Sequence, residues 1–199
     1  MAHGRVWHLT AIYFPLCLGM YSIVFWMPQL IKAVFNHYSN TMVGILVMIP
    51  YVAAVSAMIM IARSSDRALE RRYHAAVPGI VAGIALLLLG TLVTPSPLLF
   101  IMLWCLAAMG VWSVFAPFWS LPNEFLTGSS AAVGIALINS FGNLGGFVGP
   151  YAMGAINNRT GSFRGGFLLA AISLFVSATL ILILRKRNAA SSGQPAQLA

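Results

Sequence analysis

Six long apolar runs, parted by short polar breaks, constrain this chain more than any other feature. They cover about residues 6–34, 42–62, 75–93, 98–121, 130–156 and 163–184. About 20 apolar residues in a helix cross the roughly 30 Å hydrocarbon core of a bilayer, so each run is long enough to span once. Only 7% of the 199 residues are charged and 60% are apolar, whereas soluble domains carry about a quarter charged residues. The expectation is an all-α integral membrane protein of six transmembrane helices.

The breaks carry the polar groups that hydrocarbon would not tolerate. Residues 36–40 (NHYSN), the charge cluster 63–72 (RSSDRALERR), the turn 95–97 (PSP), residues 122–129 around Glu124 and Gly128, and residues 157–162 read as loops. Residues 188–199 form a polar, small-residue tail, expected to be disordered. The first run lacks a small-residue cleavage site and is expected to stay attached as a membrane helix.

Six spans place both termini on one side. Arg5, Arg63, Arg67, Arg71, Arg72, Arg185, Lys186 and Arg187 fall on that side, and Lys32, Arg159 and Arg164 on the other. The positive-inside rule makes the termini cytoplasmic, in a cell inner membrane. The net charge of +8 is thereby a topological signal, and nucleic acid is not an expected partner.

Three spans carry chemistry. In the fourth, Trp112, Phe115 and Trp119 share a helical stripe, Ser113 and Ser120 share another, and Pro117 should kink the helix. The fifth holds Asn139 and Asn143 one turn apart, and ten of the 18 glycines lie between Gly128 and Gly166. Gly142 with Gly146, and Gly145 with Gly149, offer nearly bare backbone to another helix. Two carboxamides unpartnered in hydrocarbon would be costly, so they face protein or a wet cavity. In the first span Tyr21, Ser22, Phe25 and Gln29 lie on one arc, with Tyr13 two turns earlier and Pro28 nearby as an interruption. Each stripe also has a plain packing explanation: aromatics near a helix end form interfacial belts, the reading favoured for Trp26, and interhelical Asn bonds can simply hold a bundle together.

Enzyme chemistry is not expected. His3, His8, His37 and His74 fall in termini or loops and read as solvated, no serine has a buried base within helical reach, and Glu124 reads as a solvated loop residue. Cys17 and Cys105 lie inside apolar runs without metal-ligand spacing and read as small buried hydrophobes. No cofactor or metal is implied. Residues 25–29 (FWMPQ) are echoed by 118–123 (FWSLPN), a faint sign of inverted three-helix repeats.

The stretch 21–29, the loop with Asp66-Arg67 and Arg71-Arg72, and above all the run 134–150 (GIALINSFGNLGGFVGP) resemble the C-terminal half of a major facilitator superfamily permease. Within that superfamily the chain is similar to the anion:cation symporter group of tartrate, phthalate, hexuronate and galactonate permeases. The resemblance implies one half of a major facilitator fold, built as two inverted three-helix repeats. It further implies a substrate site at the interface with an N-terminal six-helix half, to which this chain would contribute Tyr21, Gln29, Trp119, Asn139 and Asn143. The implied function is proton-coupled uptake of a small organic anion (a sugar acid, tartrate or an aromatic carboxylate) by alternating access, the coupling groups coming from the other half.

The resemblance also makes Asp66, Arg67, Arg71 and Arg72 a cytoplasmic gate, with Asp66 near the start of the fifth span; Ala62 and Leu69 stand where the signature has glycines. A self-associating six-helix pore or a homodimeric transporter, paired through the glycine-rich fifth span, is the alternative.

Overall fold

The computed structural model describes residues 2–92, 96–124, 126 and 129–184. The expected tail 188–199, the basic stop Arg185-Lys186-Arg187, the end of the third run at Val93, and Pro95 and Gly128 in the loops all lie outside these residues. Seven helices are described: α1 (Ala2–Val34), α2 (Asn40–Ala68), α3 (Arg72–Thr91), α4 (Pro97–Ser120), α5 (Ser129–Asn143), α6 (Gly145–Thr160) and α7 (Arg164–Ile183). Among the described residues there is no strand. Because α5 and α6 are parted only at Leu144, they form one span, and six helical segments are long and apolar enough to cross a membrane.

Helix starts and stops follow local chemistry. Ser39 caps α2 by accepting the Met42 N–H at 3.3 Å, and Ser96 caps α4 by accepting that of Leu99 at 3.3 Å, with Pro97 at the first helical position. Gly161 ends α6 at φ 66°, its N–H bonded to the Asn157 carbonyl. The cluster 63–72 departs from the expected loop, because α2 continues through Arg63, Asp66 and Arg67 to Ala68. Helical hydrogen bonds do not require apolar side chains, and Arg and Ala are good helix formers, so the helix projects past its apolar run. Likewise Pro122–Glu124 is a 3-10 turn continuing from α4. Pro28 does not interrupt α1, which is continuous to Val34.

Packing of the spans has an internal symmetry. The first span packs on the fifth and sixth, the fourth on the second and third, and the third on the sixth. Exchanging spans one to three with four to six maps these pairings onto themselves. Arg72 and Arg164, the first residues of the 20-residue helices α3 and α7, make the same bond in opposite directions. Arg72 donates to the Leu182 carbonyl in the last turn of α7, and Arg164 donates to the Thr91 carbonyl at the end of α3 at 2.9 Å. An odd number of crossings per repeat makes the two triplets opposite in orientation, as the 25–29 and 118–123 echo implies.

The core lies among α1, α3, α4 and α7, where Leu9, Ile12, Leu16, Leu86, Trp104, Val111, Phe118 and Leu174 are buried. Spans two and five are peripheral: 17% and 22% of their most apolar stretch is buried, against half or more in the other four. The fifth span is nevertheless fixed closely on one side. A Cβ on Gly145 would stand 2.3 Å from the Phe14 carbonyl oxygen, one on Gly149 2.3 Å from that of Leu18, one on Gly142 2.1 Å from the Tyr13 ring and one on Gly146 2.6 Å from the Tyr21 ring. The small-residue face is thus filled by α1 of the same chain, which corrects the expectation that it could pair two copies.

Two stability outcomes follow. Gly145→Val should lower stability by about 3 kcal/mol, since its methyls meet backbone that cannot give way; Gly44→Ala, with open space around it, should gain up to about 1 kcal/mol. Leu69 terminates α2 in the left-handed region at φ 50°, alone among the described non-glycine residues. This is a position where the resembled signature has glycine, and Leu69→Gly should raise stability by about 1 kcal/mol. Thermal unfolding in detergent micelles checks all three.

Candidate functional site

The two amides sit near the middle of the fifth span, on the edge of α5 beside its contact with α1. Asn143 Nδ2 donates to the Asn139 backbone carbonyl and to Asn139 Oδ1, both at 2.8 Å, and Cys17 Sγ donates to Asn143 Oδ1 at 3.9 Å. The Asn143 amide is therefore oriented by its neighbours, while Asn139 is exposed and keeps its own NH2 for another acceptor. Cys17, expected to be an inert hydrophobe, is buried but helps to fix this pair.

Tyr13 is the centre of the aromatic wall. Its ring lies over Gly142, stacks on Phe118 with centroids 5.1 Å apart, and meets Trp119 edge-on at 4.9 Å and Phe115 at 6.2 Å. Phe115 continues to Trp112 at 5.7 Å, and Trp112 to Tyr51 of α2 at 6.2 Å. Trp112 and Tyr51, with Ala54, Val55 and Met58, line an apolar cavity of about 300 Å³. One chain of rings thus joins a cavity between α2 and α4 to the amide pair. Tyr13, Cys17 and Tyr21 recur every four residues on one face of α1, a spacing that could have marked Cys17 beforehand.

The expected site residues divide. Asn139, Asn143, Tyr21 and Trp119 border the same face: Tyr21 lies over Gly146 with Phe25 at 5.9 Å, and Trp119 packs on Tyr13. Gln29 is exposed and lies eight residues past Tyr21, about 12 Å further along the helix axis at about 1.5 Å per residue. Ser22 is buried and donates to Leu18 O at 2.7 Å, so it packs rather than lines an opening. Trp26 is no interfacial anchor: its Nε1–H donates to the Pro150 carbonyl at 3.0 Å, and its ring packs on Gly154 and Phe163.

On the side of the chain termini, Asp66 pairs with Arg71, and Arg71 also donates to Ser65 Oγ at 3.1 Å. Arg72 ties α3 to α7, as above. His8 is not in a loop; it lies in α1 and its Nε2 bonds the Leu180 carbonyl at 2.9 Å, so His8 and Arg72 both satisfy carbonyls at the end of α7. His74 is likewise in the first turn of α3: its Nδ1 faces Glu70 at 3.2 Å and its Nε2 faces the Ser64 hydroxyl at 3.0 Å. Arg67 makes none of these contacts. Burial pushes the Glu70 carboxyl upward, but the His74 ring and the backbone N–H groups of Tyr73, His74 and Arg72 outweigh it and hold the group below its ordinary value.

These features define a multi-pass membrane protein built from two inverted three-helix units, with a neutral amide and aromatic face at mid-depth. The model of the Major Facilitator Superfamily matches residues 9–199, and the chain belongs to that family, corresponding to the C-terminal half of a permease. It is 38% identical over 98% of its length to a "Putative tartrate transporter" of Agrobacterium vitis, covering 44% of that protein. A "Quinolone resistance transporter" of Acinetobacter baumannii is 39% identical over 86% of the chain, with 39% of that protein covered. A "Putative metabolite transport protein NicT" of Pseudomonas putida is 36% identical over 90% of the chain, with 41% covered. The chain spans less than half the length of these relatives. No solved structure matches it. Membership places the chain among transporters rather than enzymes.

Glu70 yields a pH outcome. Its folded value is depressed, so its contribution is complete above the unfolded value of about 4.3 and is lost as pH falls through the folded one. Unfolding temperature should be insensitive to Glu70 from pH 7 to about 5 and fall below about pH 4. Glu70→Gln should lose about 1 kcal/mol at neutral pH and show a shallower acid decline, read by thermal melts across that range.

Proposed function

We propose that the chain is the C-terminal half of a secondary transporter that takes up a small organic anion, coupled to protons, when joined to an N-terminal six-helix half. The observation that carries this reading is a neutral face on which Asn139 is exposed and Asn143, Tyr21 and Trp119 are half-buried, backed by the buried ring of Tyr13. Amides and phenol hydroxyls suit carboxylate oxygens and hydroxyls, and ring faces suit the flat or apolar part of a solute. No Asp, Glu, Lys or Arg lies mid-span, so the compensating cation and the proton-carrying acid belong to the missing half. The peripheral second and fifth spans offer the surface on which that half would close. The relatives' printed names, tartrate transporter and metabolite transport protein, support a carried organic molecule.

In this reading the termini are cytoplasmic, in the inner membrane, because the basic residues gather on their side. Asp66, Arg71 and Arg72 then form the cytoplasmic gate, drawing α2, α3 and α7 together. Arg67, expected in that set, stands apart from it.

Supplying an N-terminal six-helix half from a tartrate-type relative in the same cells, and measuring uptake of labelled tartrate and of a one-ring aromatic carboxylate, tests the proposal. Accumulation should require both chains, collapse with a protonophore, and fall about tenfold in Asn143→Ala, the loss of one oriented hydrogen bond. Proton-driven accumulation by this chain alone would overturn the account of the missing coupling groups.

A further inference from the structure

The accessible side of the last two turns of α4 is made almost entirely of rings. Residues 112, 115, 116, 119 and 120 are half-buried, while 113, 114, 117 and 118 between them are buried. Trp112, Phe115 and Trp119 thus form one uncovered stripe at helical spacing. Ser120, the one hydroxyl on that stripe, donates to the Ala116 carbonyl at 3.1 Å. The stripe therefore offers a solute ring faces, indole N–H groups and little else.

Its two ends differ in chemistry. At the Trp119 end stands Tyr13, 4.9 Å away, with its ring over Gly142 and so beside the amides. Both Asn143 Nδ2 protons go to Asn139, which leaves the exposed Asn139 NH2 as the carboxamide donor for a solute. That donor suits one carboxylate. At the other end Trp112 and Tyr51, 6.2 Å apart, line the apolar cavity of about 300 Å³ with Ala54, Val55 and Met58. Among these residues only the Tyr51 hydroxyl and the Trp112 indole are polar side-chain groups. Trp112 lies seven residues before Trp119, about 10 Å along the helix axis at about 1.5 Å per residue.

A solute held at both ends carries its anionic group at one tip and is flat and apolar over the rest. Tartrate does not fit that description. With one carboxylate on Asn139, its two hydroxyls and second carboxylate would lie against rings and an apolar wall, where unpaired polar groups, and charged ones above all, are costly. A single benzene ring bearing a carboxylate satisfies the polar end but is too short to enter the cavity as well. Two fused rings reach it and stack on Phe115 and Trp112 along the way. Closure of an N-terminal half over this side would shut such a solute in rather than compete with it.

Resting on the transport reading above, we propose that the solute is an aromatic monocarboxylate of two fused rings, with its carboxylate on Asn139, its rings along Phe115 and Trp112, and its far edge in the cavity between α2 and α4.

The test measures uptake of labelled 2-naphthoate, benzoate and tartrate by cells carrying this chain together with an N-terminal six-helix half, each above the level of cells lacking this chain. Uptake of 2-naphthoate should exceed that of benzoate by about tenfold and that of tartrate by more. Val55→Phe fills the cavity from an exposed position and should lower 2-naphthoate uptake about tenfold; unchanged benzoate uptake then shows that the variant folds and assembles. In parallel, a 2-naphthoate with a photoactivatable diazirine on its far ring should label residues 51–58 of the unaltered chain in the assembled pair, which needs no variant to fold. Tartrate uptake without a preference for 2-naphthoate overturns the assigned solute and leaves the transport reading standing. Labelling of residues 51–58 with no uptake of any of the three supports the assigned solute and overturns the transport reading. Undiminished 2-naphthoate uptake in Val55→Phe, or labelling confined to other spans, overturns the proposal.

Discussion

The close approach of α1 to the fifth span is the constraint on which the site depends. Gly142, Gly145, Gly146 and Gly149 leave no room for a Cβ against the backbone of Phe14 and Leu18 and the rings of Tyr13 and Tyr21. Helices that touch backbone to backbone gain dispersion contacts without relying on a hydrophobic driving force, which lipid does not supply between them. The same contact sets Cys17 beside Asn143 and Tyr13 beside Trp119. Chemistry on three helices is thus brought together by the absence of side chains on one of them.

How the polar groups are satisfied explains the rest of the bundle. Trp26 reaches the carbonyl of Pro150, His8 and Arg72 reach the last turn of α7, and Arg164 reaches the end of α3. Each is a long side chain from one helix meeting a carbonyl of another. In hydrocarbon or at its edge an unmet carbonyl is expensive, so these bonds choose which helices are neighbours as much as apolar packing does.

Much of this was legible in the chain itself. Span number follows from hydropathy, because the length of an apolar run is a local property, and the amide face follows from the wheel position of Asn139 and Asn143. Other features depended on depth or on partners. A helical wheel places Gln29 beside Tyr21 in angle but says nothing of its displacement of about 12 Å along the axis at about 1.5 Å per residue. Trp26 read as an anchor because its acceptor lies 124 residues away. The charge cluster read as a loop because polarity was taken for irregularity, when α2 simply outlasts its apolar surface. Leu69 could be noticed as a departure from the glycine of the resembled signature, but only its positive φ gives that glycine a physical reason.

The reciprocal arginine ties of α3 and α7 restrict how such a bundle can deform. Because each guanidinium grips the far end of the antiparallel partner, a longitudinal slip of either rod would strain both attachments at once, whichever direction it took. The α3–α7 pair is thereby left as a strut around which the remaining helices tilt.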